Sequence, residues 1–118
     1  MEIFQLNKEV GKKITQFHSD FTLSPITKTE KTTQIACIHL EQNGLIGYHQ
    51  AVVPQLFIVI SGNGWVRGKS DEFVAIRPGE VVLWRENEWH ETKTDKGLIA
   101  IVIEGEKLDT SMLFKKKE

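Results

Sequence analysis

Between Gly44 and His90 the chain breaks into short apolar runs, each stopped by a cluster of turn-forming residues. Gln55–Ile60 is almost unbroken in apolar side chains; Ser61-Gly62-Asn63-Gly64 ends it, and Trp65–Arg67 follows. Gly68-Lys69-Ser70-Asp71 and Pro78-Gly79-Glu80 then lead into Glu72–Ile76 and Val81–Trp84. A helix needs about ten or more residues with an apolar repeat near 3.6, and no stretch before the C-terminal tail offers one. Short runs rich in Val and Ile, bounded by Gly, Pro and Asn, read as strands. Strands spaced this closely restrict the chain to an all-β sandwich or barrel.

The same pattern extends to both sides. Gln34–Glu41 is rich in β-branched and apolar residues, stops at Gln42-Asn43-Gly44, and is followed by Leu45–Val53 up to Pro54. Trp89–Lys93 and Leu98–Ile103 come after turns at Arg85–Glu88 and Asp95–Gly97. Because Gln55–Ile60 does not alternate, it is expected to be buried on both faces. Upstream, Ile3–Leu6 reads as a short strand and Ile14–Leu23 as loop and edge strand, with Pro25 where an edge tolerates a missing donor. Residues 27–33 are polar and suit a solvent-facing strand or hairpin. The tail mixes Leu108, Met112, Leu113 and Phe114 with a lysine run at 115–117. With no repeat, linker or low-complexity segment, residues 1–118 form one domain.

Composition removes several classes of function. A chain of 118 residues suits one core, and its net charge of −1 offers no attraction to nucleic acid or to a membrane surface. There is no basic stripe before the tail, and no run nears the ~20 apolar residues of a membrane span. The single cysteine, Cys37, cannot form an internal disulfide, so the fold needs no oxidising compartment. Its place in an apolar strand predicts a buried, inert thiol. The N-terminus is charged early and lacks a signal-peptide core, which makes a cytoplasmic protein the expectation. No nucleophile elbow, phosphate-binding glycine loop, paired zinc cysteines or His-Glu-x-x-His is present.

Two motifs remain. Gly79, Arg85, Asn87, His90 and Thr94 follow the spacing G-x5-P-x-G-x2-H-x3-N, keeping the glycine and the histidine. His49, Ala51, Gln55 and Gly62 follow H-x-H-x3-E-x6-G, with Gly44 one residue off an opening glycine. At these residues, over about 34–104, the chain resembles a cupin, and in particular the small single-domain bacterial cupins. The resemblance implies a double-stranded β-helix, an RmlC-like jelly-roll barrel of two antiparallel sheets, with a small-molecule pocket inside. It also implies that the motif histidines and the glutamate hold a divalent metal such as iron, manganese, nickel or zinc.

Carried over position by position, the metal candidates are His49, Gln55 and His90. Ala51 removes one imidazole, and an amide at Gln55 replaces an anionic oxygen, so the depleted set favours no metal. Gln50 should face away from His49 because neighbouring strand residues point to opposite sides; the direction of His39 is not legible. The expected ligand-binding residues are His49, Gln55, Phe57, Trp84 and His90, with Phe57 and Trp84 as an apolar wall. Arg67 and Arg85 are candidates for clamping an anion, and Glu86, Glu88 and Glu91 read as a solvated acidic loop.

The expected function is therefore small-molecule binding. The alternative is a metal-dependent oxygenase or isomerase, and a weaker third reading is a metal-free isomerase or epimerase with a histidine as general base. Open sheet edges and the N-terminal segment suggest a homodimer.

Overall fold

The computed structural model describes residues 1–116; Lys117 and Glu118, including the end of the lysine run, lie outside the described residues. Among the described residues twelve strands are present in chain order: β1 (Glu2–Gln5), β2 (Lys12–Ile14), β3 (Phe21–Leu23), β4 (Thr33–Leu40), β5 (Leu45–Gln50), β6 (Gln55–Gly62), β7 (Gly64–Arg67), β8 (Val74–Ile76), β9 (Glu80–Trp84), β10 (Trp89–Lys93), β11 (Leu98–Gly105) and β12 (Phe114–Lys115). Short turns of 3-10 helix at Lys8–Val10 and Gln16–His18 are the only helical pieces described. No helix among the described residues is long and apolar enough to cross a membrane.

All pairings are antiparallel. A six-stranded sheet has the order β12-β1-β9-β6-β11-β4 and a four-stranded sheet the order β5-β10-β7-β8, while β2 and β3 form a separate hairpin. The two larger sheets pack face to face through Phe57, Val59, Val82, Trp84, Leu98, Ala100 and Val102 from the first, and Val66 and Ile76 from the second. A second apolar cluster lies on the outer side of the six-stranded sheet, where Phe4, Leu56, Ile58, Val81, Leu83 and Ile103 are covered by Leu6, Ile26, Leu108 and Leu113. Leu56–Val59 and Val81–Trp84 are buried without alternation because both of their faces lie under apolar cover.

Several expectations need correcting. The stretch Ile14–Leu23 is loop and edge strand as expected, with β3 at its end, but it belongs to a separate β2–β3 hairpin whose first strand the sequence did not reveal, and residues 27–32 form no strand. β5 stops at Gln50, short of Val53, because Ala51 instead pairs with the β9–β10 turn through Ala51 N–H to Glu88 and Asn87 N–H to Ala51. Cys37 is exposed, not buried. Its strand is the edge of the sheet, and its side chain falls on the outer face where no described residue covers it.

Candidate functional site

The register of the four-stranded sheet places His90 of β10 directly opposite His49 of β5. Further along, Ile46 stands opposite Thr92, so Gly47 and Tyr48 together oppose Glu91 alone. That extra residue is a β-bulge, a device that bends a strand and re-aims the side chain next to it. The bulge brings the Gly47 carbonyl within 2.7 Å of His49 Nδ1. A carbonyl oxygen only accepts, so Nδ1 carries the proton and the lone pair of His49 lies on Nε2.

The two imidazole rings meet at a centroid distance of 4.4 Å and an angle of 48°. His90 also stacks on Trp84, at 4.7 Å and 30°. It is only 3 % exposed. Burial, and secondarily the neighbouring His49, push its pKa down to about 4, with Glu88 opposing weakly. His90 is therefore neutral near pH 7. Its Nε2 and the Nε1 of Trp84 are buried without a hydrogen-bond partner. Unpaired buried polar atoms are rare and costly, on the order of 1–3 kcal/mol each, so something outside the chain is expected to meet them.

Gln55 is half-buried at the start of β6, opposite Trp84 on one side and Glu104 on the other. Cross-strand partners share a face, so Gln55 and Glu104 sit on the same inner side as Trp84. Phe57 is 1 % exposed and Trp84 0 %, which makes both of them packed parts of the core behind the histidines. Ala51, at the place of the missing imidazole, is buried. Gln50 turns away and donates to the Asn87 carbonyl at 3.0 Å.

His39 does not join this group. It pairs with Ile99 on the outer face of β4, beside Cys37, with Sγ 3.5 Å from its Nε2. The candidate anion clamp is also occupied. Arg67 donates to Glu91 at 2.6 Å and lies over the Tyr48 ring at 4.1 Å, on the outer side of the four-stranded sheet. Arg85 pairs with Glu2. Glu88 is no free acidic loop residue, since it binds the N-terminal ammonium at 2.6 Å.

Glu104 and the Gly47 carbonyl escaped the sequence reading. The alternation Leu98, Ala100, Val102, Glu104 would have found the first, because period 2 puts all four on one face. Nothing in sequence marks the second, which depends on the bulge. A cleft of about 690 Å³ lies elsewhere, lined by residues that include Lys28, Leu83, Arg85 and Leu108, and contains none of the histidine-site residues.

No group of three or more His, Cys, Asp or Glu side chains among the described residues is placed to hold a metal ion. Two imidazoles and a neutral amide do not fit a resident first-row divalent metal, which takes a third strong donor.

No protein-family model matches the chain, and no curated protein does. Solved structures do. One is a cupin-like protein from Thermotoga maritima, at 21% identity and TM-score 0.60, with 69% of this chain aligned to 65% of that one. Another is an RmlC-like cupin family protein with a double-stranded β-helix fold from Methanocaldococcus jannaschii, at 16% identity and TM-score 0.59, with 72% and 75% covered. A cupin superfamily protein from Desulfitobacterium hafniense aligns at 12% identity and TM-score 0.58, with 65% and 69% covered. The chain thus spans about two thirds to three quarters of the length of these three proteins. The fold is the cupin double-stranded β-helix.

Proposed function

We propose that this cupin-fold chain binds a small, uncharged organic molecule between its two sheets, at His49, His90 and Gln55, with Trp84 and Phe57 behind them. One observation carries the reading: His90 Nε2 and Trp84 Nε1 are both buried without partners, on rings that stack against each other. The indole N–H only donates, whereas the neutral imidazole has one donor and one acceptor nitrogen. A hydroxyl or carbonyl oxygen of the ligand satisfies this pair, and a buried water takes its place in the free protein. Because His90 is neutral near pH 7 and Gln55 carries no charge, the site has little to offer an anion. The polar ends of Gln55 and Glu104 add further hydrogen-bonding capacity on the same face.

The metal-dependent oxygenase or isomerase reading needs a third strong donor, which Ala51 and Gln55 do not supply. A metal-free acid–base role for His49 Nε2 lacks a supporting carboxylate among the described residues, since the other ring nitrogen meets only the Gly47 carbonyl.

Thermal-shift titration with neutral polyols and hydroxy-ketones tests the reading, read alongside the Trp84 indole N–H and the histidine ring nitrogens by NMR. Binding should shift the Trp84 and His90 signals and vanish in His90→Ala. About one equivalent of tightly held metal in protein purified without a tag, lost in a His49→Ala, His90→Ala double variant, would overturn it.

A further inference from the structure

Ile46 and His49 both face the space between the two large sheets: Ile46 packs on the core cluster there, and His49 meets the ring of His90. They are three apart in sequence, and on a regular strand residues three apart point to opposite faces. β5 presents both only by holding one surplus residue between them. The pairing of Ile46 with Thr92 and of His49 with His90 places it at Gly47 and Tyr48. The ends of the strand are fixed, by Leu45 opposite Lys93 and by the Ala51 bonds to the β9–β10 turn. These ends dictate that a surplus exists, but not which residue takes it.

Gly47 does not decide it. Bulges that require glycine hold it in the left-handed region, whereas Gly47 has no positive φ and a Cβ added there meets nothing within 4 Å. The outer face of the sheet does offer contacts that depend on where the surplus sits. Tyr48 lies between Trp89, stacked at 5.3 Å, and the Arg67 guanidinium, 4.1 Å from its ring centroid. Arg67 Nε donates to Glu91 at 2.6 Å, and Glu91 is the single residue opposite the bulge. The two side chains of this ion pair are only 16 % and 18 % exposed, so solvent screens it less than an ordinary surface pair. Moving the surplus one residue on, to Tyr48 and His49, would take the tyrosine ring off Arg67 and Trp89 and turn it toward His90, in the place of His49.

We infer that Arg67 is a positioning residue for His49, acting from the opposite face of the four-stranded sheet. By pinning Tyr48 and Glu91 together it fixes the bulge at Gly47 and Tyr48. His49 then turns toward His90 with the Gly47 carbonyl on Nδ1, which leaves the lone pair of Nε2 for a ligand. The consequence for binding rests on the ligand site proposed above; the consequence for the His49 ring does not.

Nitrogen-15 NMR of the histidine rings at about pH 8.5, well above the ordinary histidine value, identifies which nitrogen of His49 carries the proton. The native protein should show Nδ1–H. Arg67→Met keeps the aliphatic stem and removes the guanidinium; with circular dichroism unchanged, it should replace that signal by the Nε2–H form or a mixture of the two. It should also weaken binding of neutral polyols and hydroxy-ketones by about fivefold, the worth of one hydrogen bond. Gly47→Ala, and Tyr48→Phe, which keeps the ring, should behave as native. Arg67 has no such role if folded Arg67→Met keeps the native Nδ1–H form, or if Gly47→Ala disturbs it as much. Should Arg67→Met fail to fold, Tyr48→Ala, which leaves the ion pair in place, carries the same expectation and the same refutation. Absence of polyol or hydroxy-ketone binding in the native protein would strike the ligand site alone, because the ring signal of His49 decides the role of Arg67 without any ligand.

Discussion

His90 concentrates the physics of single residues in this molecule. In the unfolded chain its imidazole titrates near the ordinary value of about 6.5, whereas in the folded protein burial and His49 lower the pKa to about 4. Between those values the unfolded state holds a proton that the folded state does not, so stability falls as pH falls from about 6.5 to 4 and levels off below. At about 1.4 kcal/mol per unit the loss reaches roughly 3 kcal/mol. Urea unfolding at pH 7 and pH 4.5 should show it as a lower midpoint, and His90→Gln should remove most of the difference. An unchanged pH slope in that variant would assign the acid sensitivity to other groups. Trp84, fully buried beneath His90, sets the stability of the same spot. Trp84→Ala should cost about 3–5 kcal/mol, measurable by denaturant titration, because little nearby can collapse into the space.

At the scale of elements, turns and bulges decide where side chains go. Gly62 and Gly79 both have positive φ, +77° and +88°. An added Cβ at Gly62 would strike the Gly97 carbonyl oxygen, whereas at Gly79 it meets nothing within 4 Å. Gly79→Ala should therefore cost only the backbone strain, about 1–2 kcal/mol. Gly62→Ala should cost distinctly more, since the β6–β7 turn must also move away from β11. Thermal melts of the two variants side by side compare these costs, and equal losses would mean that the turn at Gly62 yields freely. The positions of β6, β7, β9, β10 and β11 were legible from apolar runs and turn residues to within a few residues. The hairpin over residues 12–23 was not, because its strands are three residues long and its apolar side chains face solvent: Phe17 is 94 % exposed. Neither was the bulge at Gly47 and Tyr48, which exists only because β5 must keep register with β10. That bulge gives His49 its tautomer.

Across the whole molecule, the central six-stranded sheet is apolar on both faces, with one cluster between the sheets and another outside. Local opening there has to break both. Amide hydrogen exchange should be slowest in β6, β9 and β11 and fastest in the β2–β3 hairpin, whose strands pair only with each other. Protection of residues 12–23 equal to that of β6 would contradict this picture. Apolar runs and turn chemistry were enough to read an all-β sandwich or barrel, because these features are local and repeat along the chain, and the resemblance carried by the two motifs implied the jelly roll and pointed to His49, Gln55 and His90. The fate of each side chain was decided by contacts between strands far apart in sequence. Cys37 and His39 lie on an open edge, Phe57 and Trp84 are sealed in the core, and Glu104 shares a face with Gln55. Which side of a strand meets cover depends on what the other sheet and the terminal segments bring to it, and only the folded chain contains that information.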